Sequence, residues 1–112
     1  TYCPRTSAKL WREMSEYLSR DSETSQWLSG LLASTTRSFI RDGIADDQAL
    51  VRNKAGWISE DGCYSTCDAG LIDVDGDTYI MSIMTSMPWS DRSSELVAAI
   101  AKIFFDTRAA LA

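Results

Sequence analysis

The segment Thr78–Thr85 constrains this chain most. Read as a strand, it places Ile80 and Met84 on one face and Tyr79, Met81 and Ile83 on the other, because side chains alternate across a pleat. Both faces are then apolar, and a sheet built around such a strand needs cover on both sides. Asp75-Gly76 just before it is a two-residue hairpin signal that tolerates positive φ, so the preceding run, Thr66–Val74, is its antiparallel partner. Leu50–Trp57 reads as a further strand, interrupted by the polar Arg52-Asn53-Lys54. A loop over Ser59–Ser65, turning at Asp61-Gly62, joins it to the next. Met87-Pro88-Trp89 ends the meander.

The cover is helical. Leu10, Trp11, Met14, Tyr17 and Leu18 form a one-sided stripe in a helix over about residues 7–19, with Thr6 or Ser7 as its cap. A second helix starts near Ser22–Thr24, carries Trp27, Leu28, Leu31 and Leu32, and fades in Ser34-Thr35-Thr36. Phe39, Ile40 and Ile44 flank Gly43 in a connector with room for one more turn. The last helix runs from a cap at Ser90 or Asp91 to about Ala110, with Leu96, Val97, Ile100, Ile103, Phe104 and Leu111 on one stripe. The expected fold is therefore α+β. A helical segment (1–45) precedes a three-stranded antiparallel meander and a long C-terminal helix packed on the sheet (46–112). The long helix covers one face, and the two N-terminal helices do other work or cover only part of the second. A sheet with two open edges and two apolar faces reads as part of a larger domain.

Composition excludes several chemistries. The chain has no histidine, which removes Ser-His-Asp triads, Cys-His dyads and the common zinc sites. Any general base is a carboxylate, lysine or tyrosine. With 11 Lys and Arg against 16 Asp and Glu, scattered along the chain, there is no basic stripe for nucleic acid. No apolar run approaches the ~18–20 residues of a membrane-spanning helix. The three cysteines, Cys3, Cys63 and Cys67, allow at most one internal disulfide, and free thiols remain the commoner reading. Cys63-x3-Cys67 alone is a poor metal site. Asp73-Val74-Asp75-Gly76-Asp77 is not an EF-hand, since Gly76 falls fourth and the twelfth position is Met84. No cofactor is expected. Trp11, Trp27, Trp57, Trp89, Met81, Met84 and Met87 read as core.

The most informative stretch is Asn53-Lys54-Ala55-Gly56-Trp57. A lysine followed by two small residues is unusual mid-strand, and glycine there lets a ligand or backbone approach closely. Together with Cys67-Asp68-Ala69-Gly70-Leu71-Ile72, Asp75-Gly76, Tyr79–Thr85 and the final helix, it resembles the end of a serine β-lactamase or penicillin-binding-type hydrolase domain. The Thr6-Ser7-Ala8 helix, the Trp27 helix and the Arg41-Asp42-Gly43-Ile44 connector fit the same order. In that family a Lys-Thr-Gly or Lys-Ser-Gly motif lines the active site. The resemblance gives Lys54 the role of the motif lysine and Gly56 that of its glycine, with Trp57 or Ile58 supplying an oxyanion-hole N–H. Ala55 departs from the pattern, because it has no hydroxyl for a substrate carboxylate.

The family's Ser-x-x-Lys nucleophile motif has no match. The residues three before Lys9, Lys54 and Lys102 are Thr6, Val51 and Ala99. Ser-x-Asn is also missing, Ser90-Asp91-Arg92 reading as a helix start, and Glu13 and Glu16 lie on the solvent side of a helix. The expectation is thus a C-terminal portion with no catalytic residue of its own, and with Lys54, Ala55, Gly56 and Trp57 contacting a β-lactam or peptidoglycan-like molecule. Its partner would be the N-terminal portion of the same domain or a second copy. The resemblance implies an extracytoplasmic setting, which suits a Cys63–Cys67 bridge without requiring one. The alternatives are a non-catalytic relic that binds a cell-wall peptide or protein, and a self-associating α+β module.

Overall fold

The computed structural model describes residues 2–111. In chain order these form α1 (Pro4–Leu18), α2 (Glu23–Ala33), α3 (Phe39–Gly43), β1 (Leu50–Glu60), β2 (Cys63–Val74), β3 (Asp77–Thr85), α4 (Asp91–Asp106) and a 3-10 turn over Arg108–Leu111. The three strands form an antiparallel meander in the order β1-β2-β3. The fold is α+β, as expected.

Helix starts follow local chemistry. Pro4 sits in the first turn of α1, where its fixed φ suits the helix and its missing N–H costs nothing. The α1 cap is therefore Cys3, in extended conformation and without a side-chain cap, rather than Thr6 or Ser7. Ser22 caps α2, and Ser90 caps α4, each through a reciprocal bond with a serine three residues on.

The first hairpin is tighter than the sequence suggests, and the second is as expected. Glu60 pairs with Cys63, so the expected Ser59–Ser65 loop is a two-residue turn at Asp61-Gly62 flanked by ladder. These strand ends are solvent-exposed, so no apolar alternation marks them. At the second turn Asp75 (φ 54°) and Gly76 (φ 82°) both take positive φ, the requirement of the hairpin turn that matches strand twist. Nor is β1 interrupted at Arg52-Asn53-Lys54. Arg52 pairs with Asp73 at 2.6 Å and donates to Ser29 of α2 at 3.0 Å, although its Nε is buried without a partner, and Asn53 is bonded within the interior, so the strand runs on through its polar residues.

Both faces of the sheet are covered. On one, Phe39 and Ile40 of α3, Ile44 just after it, and Val97, Ala101 and Phe105 of α4 pack on Val51, Ala55, Ile72, Val74, Met81 and Ile83. On the other, Trp11 and Leu18 of α1 pack on Ala69 and Leu71, with Met14, Tyr17, Leu28 and Leu32 around them. The N-terminal helices are thus the second layer. The core stripe of α4 also differs from expectation. Ser93, Val97, Ala101 and Phe105 are buried, while Leu96, Ile103 and Phe104 are exposed. The helix carries two apolar stripes, and the sheet takes one. Of the four tryptophans only Trp11 is core; Trp27, Trp57 and Trp89 are exposed.

Candidate functional site

The motif Lys54-Ala55-Gly56-Trp57 lies mid-way along β1, and β1 pairs on one side only. Two contacts reveal which backbone groups face the open side. The Val51 carbonyl accepts from Arg41 Nη2 at 2.9 Å, and the Ala55 carbonyl accepts from the Lys54 ammonium. In an antiparallel ladder a residue's N–H and C=O point the same way, and neighbours alternate. Val51, Asn53, Ala55 and Trp57 therefore present their N–H groups to the open edge, while Lys54, Gly56 and Ile58 turn theirs toward β2. Among the described residues no backbone group outside the sheet pairs with this edge. Of the two residues that the resemblance nominated as N–H donors, Trp57 is the one whose amide looks outward.

The four motif side chains do not share a face. Ala55 is 3% exposed and belongs to the α3/α4 layer. The Trp57 ring lies on that same side, against Phe39. Lys54 and Gly56 point to the α1/α2 side. What unites them is the strand edge. Lys54 lies between two clefts. One, of about 420 Å³, runs under α1 past Trp11, Met14, Gly56 and Cys67. The other, of about 370 Å³, lies outside the edge against Thr35, Thr36, Arg37 and Trp57. A cβ built at Gly56 would meet nothing within 4 Å, so the strand is approachable there.

Beneath the motif sits a buried polar network that the sequence reading missed. Asp68, directly opposite Ala55 on β2, is 1% exposed. Its carboxylate accepts from the Ile40 N–H at 3.0 Å and from Asn53 Nδ2 at 2.8 Å. Asn53, itself fully buried, accepts through Oδ1 from Thr35 Oγ1 and from Arg41. Arg41 also donates to the carbonyls of Ala33 and Thr35. The network staples the segment between α2 and α3 to the strand residue immediately before Lys54. Burial pushes the Asp68 pKa up, against the lowering effect of its hydrogen bonds. Only Asn53's place in an otherwise apolar alternation signalled this arrangement.

Close packing also fixes the motif's partner strand. Gly70 lies opposite Asn53, and a Cβ there would come within 2.2 Å of the Arg52 carbonyl oxygen.

The Cys63–Cys67 bridge is not compatible with this fold. Both residues lie on the extended β2, where four residues span ~13 Å at ~3.3 Å each. A disulfide requires Cα atoms within ~7 Å. All three cysteines are free thiols. Glu13 and Glu16 are exposed, as expected. Among the described residues no cluster of ligating side chains could hold a metal, and no helix is long and apolar enough to cross a membrane.

The family model described as "Beta-lactamase enzyme family" matches residues 1–107. The structure of PBP-A superposes with a TM-score of 0.74 at 20% identity, over 95% of this chain and 39% of that one. A mutant of PBP-A in acyl-enzyme complex with penicillin-G gives the same values. A β-lactamase from Chitinophaga pinensis DSM 2588 superposes with a TM-score of 0.70 at 20% identity, over 95% of this chain and 41% of that one. The chain thus spans about two-fifths of the length of these structures. No curated protein is similar enough to match.

Proposed function

The chain belongs to the beta-lactamase enzyme family, and from that premise we propose that it is the C-terminal portion of a serine hydrolase domain, supplying one wall of the active-site cleft. The parent reaction is attack of a serine on a β-lactam or peptidoglycan-type amide, followed by hydrolysis or transfer. Nucleophilic catalysis needs a nucleophile and a base within hydrogen-bond reach. Neither group of the family's motif is in this sequence, because no serine lies three residues before a lysine. They come from further polypeptide, the N-terminal portion of the domain. In this wall Lys54 orients an anionic group of the substrate by charge. Gly56 lets the substrate approach the strand, and the Trp57 N–H donates to the developing oxyanion. The work is extracytoplasmic, where β-lactams and peptidoglycan are met.

The observation that carries this reading is the placement of Lys54-Ala55-Gly56-Trp57 on an unpaired strand edge beside an open cleft. The coding sequence upstream of Thr1 tests it. An in-frame Ser-x-x-Lys and Ser-x-Asn are expected; a stop codon immediately upstream refutes it. The complete gene product, incubated with benzylpenicillin, should gain the penicilloyl mass, whereas the 112-residue chain alone should not. Lys54→Ala should cut the acylation rate by roughly tenfold or more, equivalent to ~1.4 kcal/mol or more of lost transition-state stabilisation.

One observation favours a second reading. Ala55 stands where the family carries a hydroxyl, and it is buried, so no side chain at that position bonds a substrate carboxylate. A non-catalytic relic that binds a cell-wall peptide or a protein partner fits this. An upstream sequence that keeps the fold's elements but lacks both motifs would select it.

A further inference from the structure

We infer that Arg37 and Trp89 are positioning residues that hold the outward-facing N–H of Trp57 in place, through an aromatic clamp on the Trp57 ring. The inference rests on the reading of β1 as the substrate-facing edge. The problem this clamp solves is visible in the strand. From Trp57 to Glu60 every residue of β1 is exposed, the outer side has no backbone partner among the described residues, and the ladder beyond is three residue pairs closed by a two-residue turn. An edge segment of this kind frays unless side chains tie it down. Preorganised electrostatic stabilisation requires the opposite, a donor fixed before the reaction begins.

The ties are specific. The Trp57 ring meets Phe39 edge-on, with centroids 6.5 Å apart and planes at 63°. Phe39 is 1% exposed and anchored in the main core. The Trp57 ring also stacks on Trp89, at 4.9 Å and 28°. The Arg37 guanidinium then spans both indoles, 5.0 Å from the Trp89 centroid and 5.9 Å from that of Trp57. A fourth tie acts on the backbone, where the Trp89 N–H donates to Ser59 Oγ at 3.0 Å. Ser59 lies two residues beyond Trp57 on the same face of the strand. The segment before α3 and the segment before α4 thus grip one strand end from two sides. Arg37 also forms part of the wall of the outer cleft with Lys54, so the clamp closes at the cleft itself. Arg37 and Trp89 are exposed, and hydrophobic burial does not account for their placement.

Site-resolved amide hydrogen exchange on the 112-residue chain tests this. Gly56 and Ile58 turn their N–H groups to β2, so their exchange reads opening of the strand end, and Arg52 serves as the reference deeper in the same ladder. Arg37→Ala and Trp89→Ala should each speed exchange at Gly56 and Ile58 by about two- to tenfold, the worth of one aromatic or cation–π contact. The Trp57 amide resonance should move as well, while Arg52 and the thermal midpoint change little. Trp89→Phe, which keeps a stacking ring, should restore most of the protection. Unchanged exchange at Gly56 and Ile58 in both alanine variants overturns the inference. An equal rise at Arg52 also overturns it, since that would make the role one of general stability. Both readouts are taken without ligand, so they are independent of whether the gene product is acylated by benzylpenicillin, which decides the functional reading itself.

Discussion

The Asp68→Asn substitution probes the buried network under the motif with a change of one atom. In the wild type both carboxylate oxygens accept, one from the Ile40 N–H and one from Asn53 Nδ2. Asparagine has one acceptor and one donor group, so either Ile40 or Asn53 meets an NH₂ in place of an oxygen. Flipping Asn53 brings no relief, because its Oδ1 already accepts from Thr35 and Arg41. One buried donor is left unpaired, at a cost of ~1–3 kcal/mol. Opposing this, the variant no longer buries a charge. The two effects separate with pH. Burial raises the Asp68 pKa, so the carboxyl's contribution to stability is fully present below its unfolded-state value near 3.9 and is lost as pH rises through the higher folded value. The asparagine variant has no such pH dependence at this position. The stability gap between wild type and variant should therefore be widest near pH 4 and narrow toward neutrality. Urea unfolding of both proteins from pH 4 to 8 reads the gap directly. A variant as stable as the wild type throughout, or a gap that widens with pH, refutes the account of the network.

Three further outcomes follow from the geometry. Gly70→Ala puts a methyl 2.2 Å from the Arg52 carbonyl and should destabilise by ~1–3 kcal/mol or more, lowering Tm by at least ~4 °C; an unchanged Tm would show that the β1–β2 pairing relaxes there. Arg41→Ala removes the donor shared by the Ala33, Thr35 and Val51 carbonyls and should cost ~2–4 kcal/mol in chemical denaturation, with Arg41→Lys recovering only part because lysine lacks the planar fork. Under mild oxidation the monomer should keep three titratable thiols, and a monomer lighter by two hydrogens with Cys63 linked to Cys67 would contradict the extended β2.

Periodicity made most of the architecture legible. The two apolar faces of Thr78–Thr85 required two covering layers, and α1/α2 and α3/α4 supply them. What periodicity missed was polar. Asn53 interrupts the apolar pattern of β1 and Asp68 carries no local signature, yet each is hydrogen-bonded to a partner 15 residues away or more, information no local window contains. The exposed hairpin ends at Glu60 and Cys63 carry no alternation because neither face is buried. The α4 stripe was misplaced because two apolar stripes adjoin on one helix, and only the sheet's position decides which is buried. At the site, Lys54 and Gly56 were readable from their residue types. Trp57 reads as core by residue type, whereas the residue is 41% exposed and packed against Trp89 and Arg37.

The two open edges of the sheet differ in a way that bears on the proposed division of labour. An unpaired strand edge invites strand addition, and proteins blunt it with cations placed on it. On β1 the Lys54 ammonium and the Arg41 guanidinium, reaching over from α3, bond outward-facing carbonyls of that edge, and Arg37 lines the cleft beside it. Cations so placed discourage a second strand. The β3 edge has the opposite character. Ile80 is exposed there, next to Phe104 and Leu111 along a cleft of about 330 Å³, and Ile103 continues the apolar surface onto α4. On the proposed reading the remaining part of the domain covers β3 and the outer stripe of α4, and β1 is left for substrate.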